Sequence, residues 1–361
     1  MPVRLKDIAG ELGLSVVTIS KVLRNHGDIG EVTRTRVLKR MKELNYQPNL
    51  AARSLSTGRT CTVGLIVPDL LHPFFAQIAA SLSAEVRKQR YSLLIASSED
   101  DPELEQQEIA GLLARRVDVL LIASAQSTVE GFRVIEAQNV PYVLLDRKFE
   151  GYTANFVGAD DRAIGVIATS HLIEQGCTRI AHIRGPEIST AIGRLEGYRQ
   201  TLAQHGLTPL PGHIVSTGSS GDHGGERTGY EGAKALLANK VKPDGIFCFN
   251  DPVALGAMRA IIEAGLRIPE DIAIVGCGNL SYADLLRIPL STVDQDSQTI
   301  GASAAALSLS LALNNKKKVL APRTEIIAPH LIVRKSSQRL ASLEEAAKAT
   351  PKKPKKAPLA S

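Results

Sequence analysis

From residue 61 onward the chain alternates short apolar runs with amphipathic helical stretches, and that alternation constrains the fold more than any motif does. Candidate strands are Thr62–Val67, Ser92–Ser97, Val119–Ala123, Tyr142–Leu145 and Phe156–Val157, with helices over Phe74–Gln89 and Pro102–Arg115 between them. A second series follows: helix Asp161–Gln175, strand Ile180–Ile183, helices Gly193–His205 and Gly229–Asn239, strand Gly245–Phe249, helix Pro252–Ala264 and strand Ile272–Gly276. Short, wholly apolar strands separated by helices predict parallel sheets covered on both faces. Two such series in succession predict two doubly wound α/β lobes. Ligands of such sheets bind beyond the carboxyl ends of the strands, so the default site is the cleft between the lobes. The loops expected there are 69–75, 146–147, 185–194, 219–225, 250–251 and 278–279.

Residues 1–60 read differently. Leu5, Ile8, Ala9 and Leu12 fall on one face of a helix over Lys6–Leu12, and Gly13 ends it. Ser15 is a suitable N-cap for a second helix, Val16–Leu23. Ile19, Val22 and Leu23 then face inward and Val16, Val17, Ser20 and Lys21 outward. Two short helices joined by a tight glycine turn form a helix-turn-helix, whose second helix enters the major groove of DNA. Valine has no hydrogen-bonding group, so Val16 and Val17 are suited to thymine methyls. Polar readout falls to Ser20, Lys21, Thr18 or Arg24. A third helix, Glu31–Leu44, carries an apolar stripe and the cations Arg34, Arg36, Lys39, Arg40 and Lys42, some expected to reach phosphates and others solvated. After Pro48, Asn49 can cap a two-turn helix through Leu55 that is marginal alone.

Charge placement supports the division. Residues 1–60 carry 11 Lys+Arg against 5 Asp+Glu, residues 334–361 carry 8 against 2, and the stretch between carries 24 against 30. A basic head on a mildly acidic body suits a polyanion gripped at one end. The four cysteines are scattered with no C-x-x-C pair, which argues against zinc and thioredoxin-like readings and for buried small hydrophobes. No G-x-S-x-G, P-loop or H-E-x-x-H occurs, and Gly276-Cys277-Gly278 lacks the third glycine of a dinucleotide fingerprint. The expectation is a protein that is not an enzyme, with no cofactor and no metal. The first residues lack a secretory h-region and no run of 18 apolar residues occurs, so the expected place is the cytosol, with no membrane partner.

KDIAGELGLSVVTISKVLRN followed by YQPNLAARSL is similar to the head of the LacI/GalR family of bacterial repressors. The likeness runs over about residues 4–335, through IVPDLLHPFFAQIAASL, PYVLLDR, VGADDRAIGVIATSHLIEQGCTRIAHIRGP, GRLEGY, FNDPVALGAMRAIIEAGLRIPEDIAIVGCGN and PLSTVDQD. The resemblance implies a helix-turn-helix domain at 1–47, a hinge helix and linker at 48–60, and a periplasmic-binding-protein-like body at 61–335. The body crosses between lobes near 158–161, 289–293 and 322–325, so lobe 1 takes 61–158 plus 293–322 and lobe 2 takes 161–289 plus 325–335. It implies DNA contacts from Arg4, Ser15, Val16, Val17, Thr18, Ser20, Lys21, Arg24, Asn49, Ala52 and Arg53, with Leu55 either wedged between base steps in the minor groove or packing its helix. It implies a pseudo-palindromic double-stranded operator, a homodimer and a small-molecule effector, sugar-like or a related metabolite. A phosphometabolite, a protein partner or a degenerate site is the alternative.

For the effector, the resemblance points to Phe74, Phe75, Asp146, Arg147, Asp160, Arg194, Asn250 and Gly278. The phenylalanines either stack on the ligand or belong to the core. Asp146 and Arg147 either bond ligand hydroxyls or pair with each other. Asp160 is either a contact or a structural group at a crossover, and one of Asn250 and Asp251 caps a turn. Several positions depart from the family. Arg4 replaces a Thr or Ser, Arg24 an Asn and Gly30 a Ser cap. Gly278 stands where an acidic residue usually bonds the effector, and no aromatic wall stands near Gly224. Gly278 leaves room for a larger ligand, passes the task to backbone groups, or marks a decayed site. Residues 336–361 read as a basic disordered tail, and Leu340 and Leu343 do not sustain a tetramerising heptad.

Overall fold

The computed structural model describes residues 3–23, 26–46, 58–216, 225–314 and 321–339. It separates into two units, residues 1–60 and 61–361. In the first, α1 (Leu5–Leu12), α2 (Val16–Leu23) and α3 (Glu31–Glu43) enclose a core of Ile8, Ala9, Ile19, Val22, Val37 and Met41. Gly13 ends α1 at φ 64°, the left-handed conformation that glycine adopts without strain. The Ser15 hydroxyl accepts from the Thr18 amide at 3.0 Å and so starts α2. The expected hinge segment, with Asn49, Ala52, Arg53 and Leu55, lies outside the described residues, as do Arg24 and Gly224.

Among the described residues the body contains two six-stranded sheets of matching order. The first comprises β1 (Thr62–Val67), β2 (Ser92–Ser97), β3 (Val119–Ile122), β4 (Tyr142–Leu145), β5 (Phe156–Ala159) and β11 (Thr324–Ile327), in the order β11-β5-β4-β3-β1-β2. The second comprises β6 (Ile180–Arg184), β7 (Ile214–Ser216), β8 (Gly245–Cys248), β9 (Ala273–Cys277), β10 (Ser291–Asp294) and β12 (His330–Ile332), in the order β12-β10-β9-β8-β6-β7. The pairings are parallel except β10 with β12. The helices that flank the sheets are α4 (Pro73–Lys88), α5 (Pro102–Ala114), the short α6 (Arg133–Ala137), α7 (Asp161–Glu174), α8 (Ser189–Gln204), α9 (Glu226–Ala238), α10 (Asp251–Glu263) and α11 (Ser297–Leu313).

Two expectations are corrected. The later crossovers fall farther along the chain than 289–293 and 322–325. Residues Ser291–Val293 pair with Val275–Cys277 and so belong to the second sheet, while Thr324–Ile327 pair with Phe156–Ala159 in the first. The basic tail also does not begin at 336. Ser336 and Ser337 are fully buried, with Ser336 donating to the Ile274 carbonyl and Ser337 bonded to the His171 ring and to Ser291. Among the described residues the cysteines are free thiols. Three are buried, and burial pushes the Cys177 and Cys277 thiols up to about 12, so they are packing groups rather than nucleophiles.

The second lobe packs its helices through glycine. A Cβ at Gly165 would lie 2.1 Å from the Arg194 carbonyl oxygen, and one at Gly197 2.1 Å from that of Arg162, so α7 and α8 touch backbone to backbone. The pair α9 and α10 repeats the device, with Gly229 facing the Val253 carbonyl at 1.9 Å and Gly256 that of Glu226 at 1.8 Å. Gly10 in α1 has open space around it. Gly197→Ala and Gly256→Ala should each lower stability by about 2 kcal/mol or more through overpacking. Gly10→Ala should raise it by about 0.5–1 kcal/mol by relieving backbone entropy. Urea unfolding of the three variants checks this, and a neutral Gly256→Ala would refute the close-contact account.

Candidate DNA-reading face and ligand cleft

On the head, α2 buries Ile19 and Val22 and leaves Val16 44% and Val17 62% exposed. An apolar pair held outward on a capped helix is available to methyl groups in a groove. Ser15 also bonds the Thr18 hydroxyl at 2.8 Å, so both hydroxyls are engaged in the cap. Lys21 pairs with Asp28, and that contact holds the exposed Asp28 carboxyl below its usual range. Exposed ion pairs are weak, so a nucleic-acid acceptor can replace Asp28 cheaply. Arg4 is exposed at the start of α1, where its amide donates to Asp7 at 2.8 Å. The basic residues of α3 are less available than their charge suggests. Arg34 donates to the His26 carbonyl, Arg36 to that of Leu12, and Arg40 to Glu11 and Glu43. These arginines brace the three-helix unit.

In the body, a cavity of about 1030 Å³ opens at the carboxyl ends of the strands of both sheets. The first lobe contributes Asp69, His72, Phe74, Phe75, Asp146 and Arg147, and the second Thr190, Arg194, Thr228, Phe249, Asn250 and Cys277. Phe74 and Phe75, 4% and 6% exposed, meet edge to face at 5.2 Å between centroids. They belong to the hydrophobic core and also line the cavity. Two hydrogen bonds join the lobes across the cleft: the Asn250 amide with His72 Nε2 at 3.2 Å, and the Lys148 amide with the Ser189 hydroxyl at 3.0 Å. Asn250 also caps α10 through Oδ1 to the Val253 amide at 2.9 Å.

Arg194 is the centre of the site. It is 3% exposed; its Nε donates to Asp161 at 3.0 Å, one terminal nitrogen to the Phe249 carbonyl at 2.6 Å and the other to Gln295 at 2.7 Å. Its guanidinium stacks 4.6 Å from the centroid of the Phe249 ring, which supplies an aromatic wall from a position not picked out in the sequence. Arg147 pairs with Asp100 at 2.6 Å and with the Ser124 carbonyl at 3.1 Å, not with Asp146. Asp146, 8% exposed and at φ 63°, donates its amide to the Val157 carbonyl at 2.9 Å, and among the described residues no hydrogen bond reaches its carboxyl. Burial, followed by the Asp161 charge, raises its pKa well above that of an ordinary aspartate. Burial lowers His72 to about 4, so its ring is neutral at physiological pH.

Two expected contacts stand elsewhere. Asp160 is exposed and caps α7 through the Ala163 amide at 3.0 Å, the structural reading of that residue, and it does not line the cavity. Gly278 is buried at φ 130°, its amide donates to the Val293 carbonyl at 2.9 Å, and the end of β9 presents Cys277 to the cleft instead. The turn after β9 is held by Asp251. This buried carboxylate accepts from Thr292 at 2.6 Å and the Leu280 amide at 2.9 Å, and burial pushes its pKa up to about 6. Any side chain at Gly276 would collide with Asp251, with a Cβ 2.2 Å from Oδ1. The residues missed as site residues are His72, Asp161, Phe249 and Gln295. The second D of VGADD and the Q of VDQD lie inside quoted motifs, but only the fold brings them to Arg194.

The raised Asp146 has a thermodynamic consequence. The folded state holds this proton more tightly than the unfolded chain, so its contribution makes stability fall as pH rises through the raised pKa, and the cost persists above it. Asp146→Asn should therefore gain stability over the parent by about 1–3 kcal/mol at pH 8 and much less at pH 5. Chemical unfolding across that range tests this, and a pH-independent difference would contradict it.

Comparison with known proteins bears on both sites. Residues 4–49 match the family described as "Bacterial regulatory proteins, lacI family", and residues 169–337 match "Periplasmic binding protein-like domain". The chain is 32% identical over 336 residues to the HTH-type transcriptional repressor PurR of Haemophilus influenzae, covering 92% of this chain and 98% of that one. It is 32% identical over 335 residues to the ribose operon repressor of Halalkalibacterium halodurans, covering 92% and 97%. Among solved structures, the lac repressor dimer bound to operator and the anti-inducer ONPF superposes with a TM-score of 0.80 at 26% identity, covering 93% and 99%. The CelR–cellobiose complex superposes at 0.69 and 26%, covering 92% and 99%. The chain belongs to the lacI family of bacterial regulatory proteins: it is a DNA-binding transcription regulator with a periplasmic-binding-protein-like ligand body.

Proposed function

We propose that the protein is a repressor that binds a pseudo-palindromic operator as a homodimer, and that a sugar-like ligand in the cleft tunes its operator affinity. The observation that carries the DNA reading is the exposed pair Val16 and Val17 on a capped α2 whose other face is fully used by the core. α2 enters the major groove, where Val16 and Val17 meet thymine methyls and Ser20, Lys21 and Thr18 serve polar edges. Arg4 and Arg53 serve phosphates, and Asn49, Ala52 and Leu55 belong to the hinge, with Leu55 as the minor-groove wedge. The lac repressor dimer bound to its operator supports the two-fold arrangement. A protein that reads operator DNA works in the cytoplasm at the nucleoid, and nothing in its cleft calls for enzymatic turnover.

For the effector, Phe74, Phe75, Asp146, Arg147, Arg194 and Asn250 form the contact set, and the cellobiose complex of a structural neighbour supports a polyhydroxyl ligand. The ligand acts through its differential affinity for the open and closed cleft. Closure, bridged by His72 with Asn250 and by Lys148 with Ser189, alters the spacing of the two Cys61 ends in the dimer, and hence hinge pairing.

Selection of bound duplexes from a random library should return a two-fold symmetric site. On that site Leu55→Ala should weaken specific binding far more than nonspecific binding. Val17→Ala should relax preference at one base pair by about 1–3 kcal/mol. Recovery of no symmetric site, or equal loss of specific and nonspecific binding in Leu55→Ala, would overturn the docking assignment.

A further inference from the structure

The cleft's charges do not balance. Arg147 and Arg194 are the arginines of its lining, and each already has a carboxylate, Asp100 at 2.6 Å and Asp161 at 3.0 Å. Their remaining bonds go to carbonyls of Ser124 and Phe249 and to Gln295. His72 adds no positive charge, because burial lowers its pKa to about 4. Lys148, whose charge acts on Asp161, is exposed and outside the lining.

On the other side of the balance, Asp69, Glu99, Asp100, Asp101, Glu103 and Asp146 all line the cavity. Asp100 is neutralised by Arg147, and Asp101 caps α5 through the Glu103 and Leu104 amides. Asp69 accepts from the Leu71 amide through Oδ1, while its Oδ2 is buried with no partner. Asp146 is 8% exposed, and among the described residues no hydrogen bond reaches its carboxyl. Asp69 Oδ2 and the Asp146 carboxyl therefore face the cavity with acceptor capacity unused, and of the two only Asp146 feels the nearby Arg194 and Arg147 charges. A buried carboxylate left so is costly, and an acidic, low-dielectric cleft concentrates cations and repels anions.

We propose that the cleft selects a polyhydroxyl ligand bearing a protonated amine, with the ammonium set against Asp146 and the hydroxyls serving Asp69, Asn250 and Thr190. This rests on the reading of the cleft as the effector site. An ammonium brings three donors and a charge, where a hydroxyl brings one donor and none. Below about pH 7 burial keeps a proton on Asp146 in place of that cation, so seating the amine there expels it. Phe74 and Phe75 add ring faces that favour a cation. A phosphate or carboxylate ligand would find only the Arg147 Nε without a partner and would still face Asp69 and Asp146, which weighs against a phosphometabolite.

The test uses the full chain and three matched probe sets: 2-amino-2-deoxyhexoses, their neutral parent hexoses, and the hexose 6-phosphates. Thermal shift at pH 7.5 should favour the amino sugars, with affinity about tenfold tighter than the parents. Calorimetry at pH 6, where the amine is charged and Asp146 still holds its proton, in buffers of different ionisation enthalpy should show proton release for the amino sugars only. Asp146→Asn should abolish the proton release and bring the amino sugars and their neutral parents to the same affinity. Should that variant not fold, Asp69→Asn should narrow the advantage instead. Parity between amino and neutral sugars, or stabilisation by the phosphates, overturns the proposal and leaves the effector cleft standing. Silence from all three sets sinks the polyhydroxyl reading of the cleft, and the amine with it.

Discussion

A single buried guanidinium organises the body. Removing Arg194 from water is costly, and the cost is offset only because every nitrogen finds an acceptor. Those acceptors come from distant stretches of chain: Asp161 just after the first passage between lobes, the Phe249 carbonyl at the end of β8, and Gln295 in the second passage. The side chain that floors the cleft is thus also the clamp on two of the strands that connect the lobes. A ligand touching Arg194 touches the hinge, and this gives occupancy a direct route to lobe geometry.

Much of the fold was legible because burial leaves a plain mark on sequence. Strands β1 and β4 read as uninterrupted apolar runs, and their observed ends match the expected ones. Helices that line up with glycine, proline or aspartate caps were found within a few residues. The elements overlooked lack such marks. Ser291–Asp294 is mostly polar because the Ser291 hydroxyl bonds Arg334 and Ser337 and the Thr292 hydroxyl bonds Asp251 rather than merely filling space. Helix α11, SQTIGASAAALSLSLAL, is small and apolar nearly all round, so it shows no stripe. These two elements misplaced the crossovers, since position in the chain was then the only guide.

The sites divide the same way. Arg194 and the phenylalanines were visible as types at motif positions. Their partners were not, since the carboxylate of Asp161 and the amide of Gln295 are joined to Arg194 across 33 and 101 residues. Gly278 misled because an absent side chain suggests an enlarged pocket, whereas φ 130° makes it a turn residue behind the wall. In the head, counting cations overstated the surface free for phosphates. Arg36 and Arg40 hold helices together at 2.9 and 2.6 Å, and such use leaves no trace in net charge.

The glycine crossings of the second lobe have a mechanical meaning. Where α7 meets α8 and α9 meets α10 through Gly165, Gly197, Gly229 and Gly256, no side chain lies between the backbones at the crossing to act as a bearing. Side-chain interfaces can slide by changing rotamers, but two backbones in van der Waals contact have no such freedom. Each helix pair therefore moves as one plate. Relative sliding within each pair is thereby resisted, so a rearrangement of this lobe would have to be taken up between the pairs or in the connecting strands rather than at these crossings.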